Sequence, residues 1–148
     1  MAEGPPGLRD WTGYLLYKCA WWIQHDTEAA LRELGLRDRH LMALTMLSAG
    51  DGLSQQELAK HLSLDPTLVV SLIDDLEDQG LCARERHPED RRRHMIQLTA
   101  KGKKVYRDAR AQAAKVGDAI FGPLDRAERA QLTELLKRVM DPLWGKPK

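Results

Sequence analysis

The sequence predicts a mainly α-helical fold that contains one small β-hairpin. Apolar residues recur at intervals of three and four over most of the 148 residues, which is the period of helices that bury one face. Two short extended runs flank a turn-forming, arginine-rich segment in the second half of the chain, which indicates a hairpin. A length near the roughly 150 residues of one average domain favours one compact unit.

The first predicted element is a long helix from Leu8 to about Leu34, with Gly35 as its C-terminal stop. The Gly- and Pro-rich residues 1–10 read as a flexible arm, and residues 11–148 as one unit. The helix carries an apolar stripe made of Leu15, Leu16, Cys19, Trp22, Ile23, Ala30, Leu31 and Leu34.

Capping residues divide the next part of the chain into three helices. Asp38 is the expected cap of the second helix, which ends at the turn 49–52. Ser54 and Glu57 have the spacing of a capping box for a short third helix. Asp65 is placed to cap a fourth helix, which Pro66 begins and Gly80 ends. The inward stripe of the fourth helix is Val69, Leu72, Ile73 and Leu76.

The rest of the chain predicts the hairpin and two more helices. The strands are the runs 81–87 and 94–98, joined by a basic tip, and Thr99 caps a helix that continues to about Ile120. Gly122 and Pro123 break that helix, and the last one runs from about Asp125 to Trp144. Its apolar face consists of Leu132, Leu135, Leu136, Val139 and Met140.

Composition excludes several classes of protein. The longest apolar run, 19–23, is far shorter than the roughly 20 residues of a membrane span, and residues 1–10 lack a secretory layout. Two distant cysteines and five histidines without ligand spacing favour neither a disulfide framework nor a metal site. No catalytic constellation or phosphate-binding glycine loop is visible. We therefore expect a cytoplasmic protein that is no enzyme and uses no cofactor.

The net charge of +1 hides a strong segregation of charge along the chain. Residues 84–110 contain ten basic and four acidic residues, a local charge of +6, so the remainder carries −5. A basic stretch on an otherwise acidic chain is suited to contact with a phosphate backbone.

Two helices joined by a short turn and followed by a hairpin form a helix-turn-helix with a wing. In that geometry the second helix enters the major groove of double-stranded DNA, and the wing reaches a phosphate or the minor groove. The predicted DNA contacts are Ser54, Thr67, Leu68, Val70, Ser71, Arg91, Arg92 and Arg93. Asp90 is placed to pair with one of these arginines.

Several segments of this region resemble the MarR family of bacterial transcription regulators. They are the run 53–59, the run 72–81, Arg84, Pro88, the Asp-Arg-Arg of 90–92 and the Leu-Thr-Ala-Lys-Gly of 98–102. The resemblance implies a homodimer held by helices in about 11–35 and 103–148, with a winged helix-turn-helix in about 38–102. It also implies that Arg92 is a minor-groove residue braced by Asp90, and that the protein is a repressor of a pseudo-palindromic operator.

The chain departs from the family in its recognition helix. Ser71 and Asp75 stand where many members carry a basic residue. The run 66–80 contains four acidic residues and no Lys or Arg. Arginine readout of guanine is therefore absent from this helix, and we expect the wing to supply most of the affinity. The strand residues Arg84 and Arg86 are candidate partners for the helix acids, and Arg84 is a candidate support of the wing.

Five of the eight aromatic residues lie between positions 11 and 22, and their ordinary role is a dimer core. The resemblance implies an alternative role for some of them, a pocket for an aromatic or phenolic effector, with Trp11, Trp22 and His40 as candidate lining. We expect Cys19 to be a buried thiol, with an oxidative-stress sensor as the alternative. A winged-helix module that binds another protein also remains open.

Overall fold

The computed structural model describes residues 7–50, 52–86 and 94–143. Six α-helices and one antiparallel strand pair are present in these ranges, with a short 3₁₀ turn at the end. In chain order they are α1 (Thr12–Arg32), α2 (Asp38–Ser48), α3 (Gln55–Leu62), α4 (Pro66–Asp78), β1 (Cys82–Arg86), β2 (His94–Leu98), α5 (Ala100–Ile120), α6 (Arg126–Met140) and the 3₁₀ turn Asp141–Leu143. The mainly helical class with a small hairpin is confirmed.

Most helix starts follow the predicted local chemistry. The Ser54 hydroxyl accepts the backbone N–H of Glu57 at 3.3 Å, and the Glu57 carboxylate accepts that of Ser54 at 2.8 Å. Asp65 accepts from the N–H of Thr67 at 2.8 Å, and the Thr99 hydroxyl from that of Gly102 at 2.9 Å. These contacts satisfy amide groups that would otherwise have no partner in the first turn.

Three predicted boundaries were wrong. The last helix was expected to reach Trp144, but α6 ends at Met140 and a 3₁₀ turn follows it. Helix α1 begins at Thr12 rather than Leu8, because the chain before it forms turns. Asp38 is the first residue of α2 and not its cap. The cap position is occupied by Arg37, whose backbone N–H donates to Nδ1 of His40 at 3.1 Å.

One hydrophobic core holds the helix-turn-helix and the hairpin together. All four predicted stripe residues of α4 are buried in it, with Leu44 of α2, Leu58 of α3 and Ile96 of β2. Strands β1 and β2 pair from Cys82 opposite Leu98 to Arg86 opposite His94. Leu53 and Ile96 exchange backbone hydrogen bonds, which ties the start of the helix-turn-helix to the hairpin.

The terminal helices contribute little to this core. Helix α1 packs mainly against α5, and only its Thr27 and Leu31 are buried, while α6 buries none of its side chains. Within the described ranges, no helix is long and apolar enough to cross a membrane.

Candidate nucleic-acid interface

The turn between α3 and α4 places the two helices as a helix-turn-helix. Ser63 adopts a left-handed conformation with φ of +52°, and its backbone N–H reaches the carbonyl oxygen of Lys60 at 3.3 Å. Leu64 donates to Ala59 at 3.1 Å, which closes the end of α3. The turn is short because the Asp65 cap starts α4 directly after it.

The exposed face of α4 forms one wall of an open groove of about 450 Å³. Thr67, Val70 and Ser71 line this groove together, so three of the four contacts predicted on α4 lie side by side. Leu68 is 56% exposed but lies outside the lining. The remaining lining residues are Gln55, Pro66, Asp74 and Asp75.

Ser54 differs from the other predicted contacts because its hydroxyl is already engaged. It donates to the Glu57 carboxylate at 2.6 Å in addition to capping α3. Its contact with DNA stays a prediction, and its structural role is the start of α3.

Arg84 of β1 joins the hairpin to the acidic end of α4. Its Nη2 donates to Asp74 Oδ1 at 2.7 Å, and its Nη1 pairs with the Glu77 carboxylate. The backbone N–H of Arg84 also donates to Glu77 Oε1 at 2.9 Å. Two of the helix acids are thus partly neutralised by the strand, as the sequence suggested for Arg84.

The C-terminus of α4 has a second cation. Nζ of Lys101, at the start of α5, donates to the backbone carbonyl of Gln79 at 2.6 Å. A positive charge at this position stabilises the negative end of the helix dipole. The basic start of α5 therefore supports the recognition helix.

Asp75 faces α2 and has two neighbours there. Nη2 of Arg39 lies 3.4 Å from Asp75 Oδ2, and Nε2 of His40 lies 3.7 Å from the same oxygen. His40 is 4% exposed, and its Nε2 has no hydrogen-bond partner among the described residues. Burial lowers the pKa of the His40 imidazole, and the positive charge of Arg39 lowers it further.

Comparison with known proteins agrees with this geometry. The model of the MarR family matches residues 36–94. The transcriptional repressor Rv2887 of Mycobacterium tuberculosis is 31% identical over 127 residues, which cover 86% of this chain and 91% of that protein. The chain belongs to the MarR family. It is therefore a transcription regulator and not an enzyme.

Solved structures of MarR proteins show the same fold. The structure of the transcriptional repressor CouR has been solved in complex with a 23-mer DNA duplex, and CouR from Rhodococcus jostii RHA1 has been solved with p-coumaroyl-CoA. The DNA complex superposes on this chain with a TM-score of 0.81 at 30% identity, and the match covers 93% of this chain and 99% of that one. Rv2887 of M. tuberculosis in complex with p-aminosalicylic acid gives a TM-score of 0.72 at 30% identity, covering 86% and 97% of the two chains.

Four predicted residues of the MarR-like wing, Asp90, Arg91, Arg92 and Arg93, lie outside the described residues. Their roles remain predictions. The strands that lead to the tip end at Arg86 and resume at His94, directly opposite each other in the hairpin register.

The three candidate effector residues occupy different environments. Trp11 is 62% exposed, and Trp22 contacts Trp21 edge-on with ring centroids 4.7 Å apart. His40 is buried at the α2–α4 contact. The groove beside α4 and the smaller groove lined by Trp21 and His25 include none of the three, and their role in an effector pocket stays a prediction.

The prediction that Cys19 is buried is wrong for a single subunit, because its thiol is exposed. No element among the described residues covers its helix face. Cys82 is the buried cysteine, and burial raises the pKa of its thiol to about 11.

Sequence reasoning missed the part played by Arg39 and the full set of contacts made by Asp75. Arg39 lies 36 residues before Asp75, and nothing local links the two. The sequence offered one signal for this contact. Asp75 is an unusual carboxylate in a recognition helix that has no Lys or Arg, so a cation to pair with it had to come from another element.

Proposed function

We propose that this MarR-family chain is a cytoplasmic homodimeric repressor of a pseudo-palindromic DNA operator, and that a small aromatic or phenolic compound releases it. The observation that carries the DNA-binding proposal is the groove in which Thr67, Val70 and Ser71 lie side by side on the exposed face of α4. Hydroxyl groups exchange hydrogen bonds with base edges, and the methyl groups of Thr and Val contact the methyl group of thymine.

The homodimer is supported by the apolar surfaces that the terminal helices leave exposed. Many large apolar side chains left exposed on one helix indicate an interface in a protein that is stable in water. The exposed large apolar residues of these helices are Trp11, Leu15, Leu16, Tyr17, Trp21, Trp22, Leu135, Val139 and Met140. A two-fold dimer then places two α4 helices on successive major grooves about 10 base pairs apart.

The effector proposal is supported by Rv2887 with bound p-aminosalicylic acid and by CouR with bound p-coumaroyl-CoA. Both of these ligands are aromatic. Trp11 and Trp22 are exposed in the single subunit, and we propose that the second subunit of the dimer completes the pocket around them.

The test is binding of the purified protein to the intergenic DNA beside its own gene, measured by fluorescence anisotropy against a scrambled duplex of equal length. We expect Thr67→Ala and Ser71→Ala to change which operator substitutions are tolerated, by about 1–3 kcal/mol for each base pair affected. Arg92→Ala should weaken binding to all sequences and flatten its salt dependence. Equal affinity for the intergenic and scrambled duplexes would argue against an operator and favour a protein-binding module.

The effector and thiol-sensor alternatives separate in the same assay. Release of DNA by salicylate or p-aminosalicylate supports the pocket. If peroxide releases the DNA from the wild-type protein but not from Cys19→Ser, the result would instead support the thiol sensor.

A further inference from the structure

The recognition helix α4 has no Lys or Arg of its own, yet the guanidinium of Arg39 lies at the edge of the groove that α4 lines. Asp75 lines the groove together with Thr67 and Ser71, and Arg39 of α2 lies against Asp75 with Nη2 3.4 Å from Oδ2. The contact therefore places the guanidinium of Arg39 beside the face of α4 that the proposed function turns toward DNA.

Arg39 keeps most of its hydrogen-bonding capacity. A guanidinium has five N–H donors, and the described residues show only the contact from Nη2 to Asp75. Both side chains remain accessible, with 45% of Arg39 and 44% of Asp75 exposed. The remaining donors are available to a phosphate group that approaches from solvent.

The other arginine at this helix is used differently. Arg84 is engaged by two carboxylates, Asp74 and Glu77, and also through its backbone N–H. Its side chain is less exposed than that of Arg39, at 31%. Of the two arginines paired with α4 carboxylates in the described ranges, Arg39 thus has fewer carboxylate partners and the more exposed side chain.

Asp75 is held from the buried side as well as the exposed side. His40 packs beneath it with Nε2 3.7 Å from Oδ2, the oxygen that Arg39 also contacts. The ion pair with Arg39 therefore directs this carboxylate toward α2, and His40 packs beneath it at a distance too long for a hydrogen bond. A carboxylate fixed in this way orients the guanidinium and reduces its own repulsion of DNA phosphates.

We propose that Arg39 is a DNA-contacting residue that binds a backbone phosphate next to the α4 groove, with Asp75 as its positioning residue. Arg39 then supplies from α2 the positive charge that the recognition helix lacks. This inference rests on the proposed DNA-binding function and adds a residue outside the helix-turn-helix to the contact surface.

The experiment measures the salt dependence of binding between about 50 and 300 mM salt, on the intergenic duplex and on a scrambled duplex. Loss of one phosphate contact from each subunit of a dimer should reduce the slope of log K against log salt by about 1.8. Arg39→Ala should show this reduction on both duplexes, together with about tenfold weaker binding. Arg39→Lys should keep most of the slope, because it retains the charge.

Lys137→Ala is the matched control. Lys137 forms an exposed ion pair with Glu134 at 2.7 Å on α6, a helix that makes no ion pair or hydrogen bond with α4 among the described residues and buries none of its side chains. Its removal deletes the same charge from the protein and should leave the slope unchanged.

Asp75→Asn distinguishes a phosphate contact from simple neutralisation of Asp75. If Arg39 serves only to neutralise the carboxylate, adding Asp75→Asn to Arg39→Ala will restore the wild-type slope, and the proposal is overturned. If Arg39 binds phosphate, the double variant will keep the reduced slope. A wild-type slope in Arg39→Ala alone also overturns it, whereas failure of the wild-type protein to bind either duplex would contradict the proposed function itself.

Discussion

Arg84 of β1 donates from Nη2 to Asp74 Oδ1 of α4 at 2.7 Å, so that one ion pair joins the wing to the recognition helix. The same guanidinium also pairs with Glu77, one turn further along α4. The wing is attached through its first strand to the helix that, in our proposal, reads the DNA. This arrangement fixes the direction in which the hairpin leaves the core.

We expect Arg84→Ala to impair DNA binding more than folding. Partly exposed ion pairs contribute about 1 kcal/mol or less to stability, so the melting temperature should fall only slightly. Loss of the anchor frees the wing relative to α4 and should weaken DNA binding severalfold. Circular dichroism and anisotropy measure the two effects, with Glu85→Ala on the same strand as control. A large loss of stability with unchanged affinity of the folded fraction would contradict this role.

Gly102 lies directly against the backbone carbonyl of Leu81, and a β-carbon at this position would overlap the carbonyl oxygen. Since both partners are backbone, the clash cannot be relieved by a side-chain rotation. We expect Gly102→Ala to lower the free energy of unfolding by about 1–3 kcal/mol.

Gly117 provides the matched control in the same helix. A β-carbon on Gly117 would meet nothing within 4 Å, so Gly117→Ala should stabilise α5 by up to about 1 kcal/mol. Urea unfolding of both variants gives the comparison. Equal changes in the two variants would show that the contact with Leu81 does not limit residue 102.

His40 should make stability depend on pH. Burial lowers the pKa of its imidazole below the ordinary value of 6.5, so the unfolded chain takes up a proton before the folded protein does. The stability contributed by neutral His40 is therefore full above pH 6.5 and is lost as the pH falls from there through the lowered pKa. Protonation of Nδ1 would also remove the acceptor for the N–H of Arg37.

The measurement is the free energy of unfolding in urea between pH 7.5 and 5. Wild-type protein should lose stability across this range, and His40→Gln should lose less. His61→Gln, at an exposed position, is the matched control for the chemical change from His to Gln. Parallel curves for the wild type and His40→Gln would contradict the assignment.

The exposed face of α1 should hold the proposed dimer together. Leu16 is 48% exposed, and Leu16→Glu would place a charge in an apolar interface. Light scattering should give twice the 16.8 kDa of one chain for the wild type and a single-chain mass for this variant. Leu68→Glu on α4, where Leu68 is 56% exposed, should remain dimeric.

Cys19 gives a second readout of the same interface. We expect its thiol to react slowly with a thiol reagent in the wild-type dimer and faster in Leu16→Glu, while buried Cys82 reacts only after unfolding. A dimeric Leu16→Glu variant would mean that another surface forms the interface.

The starts of most helices could be predicted because capping acts over two or three residues. Ser54, Asp65 and Thr99 each accept from an amide that the sequence places within reach. The stripe of α4 was equally readable, since helical period alone assigns Val69 and Leu76 to the same face. Asp38 failed as a cap because the helix begins one residue earlier than expected, with Arg37 at the cap position and its backbone N–H bound by His40.

The sequence by itself determined the order of the helices, the hairpin, the family and the face of α4 that points away from the core. Each of these follows from local spacing and from residue type. Only the tertiary structure decided that Arg39 meets Asp75, which of the helix acids Arg84 meets, and that Cys19 is exposed in the described part of the chain. These relationships depend on how separate elements approach one another, and for Arg39 and Asp75 that approach spans 36 residues of chain.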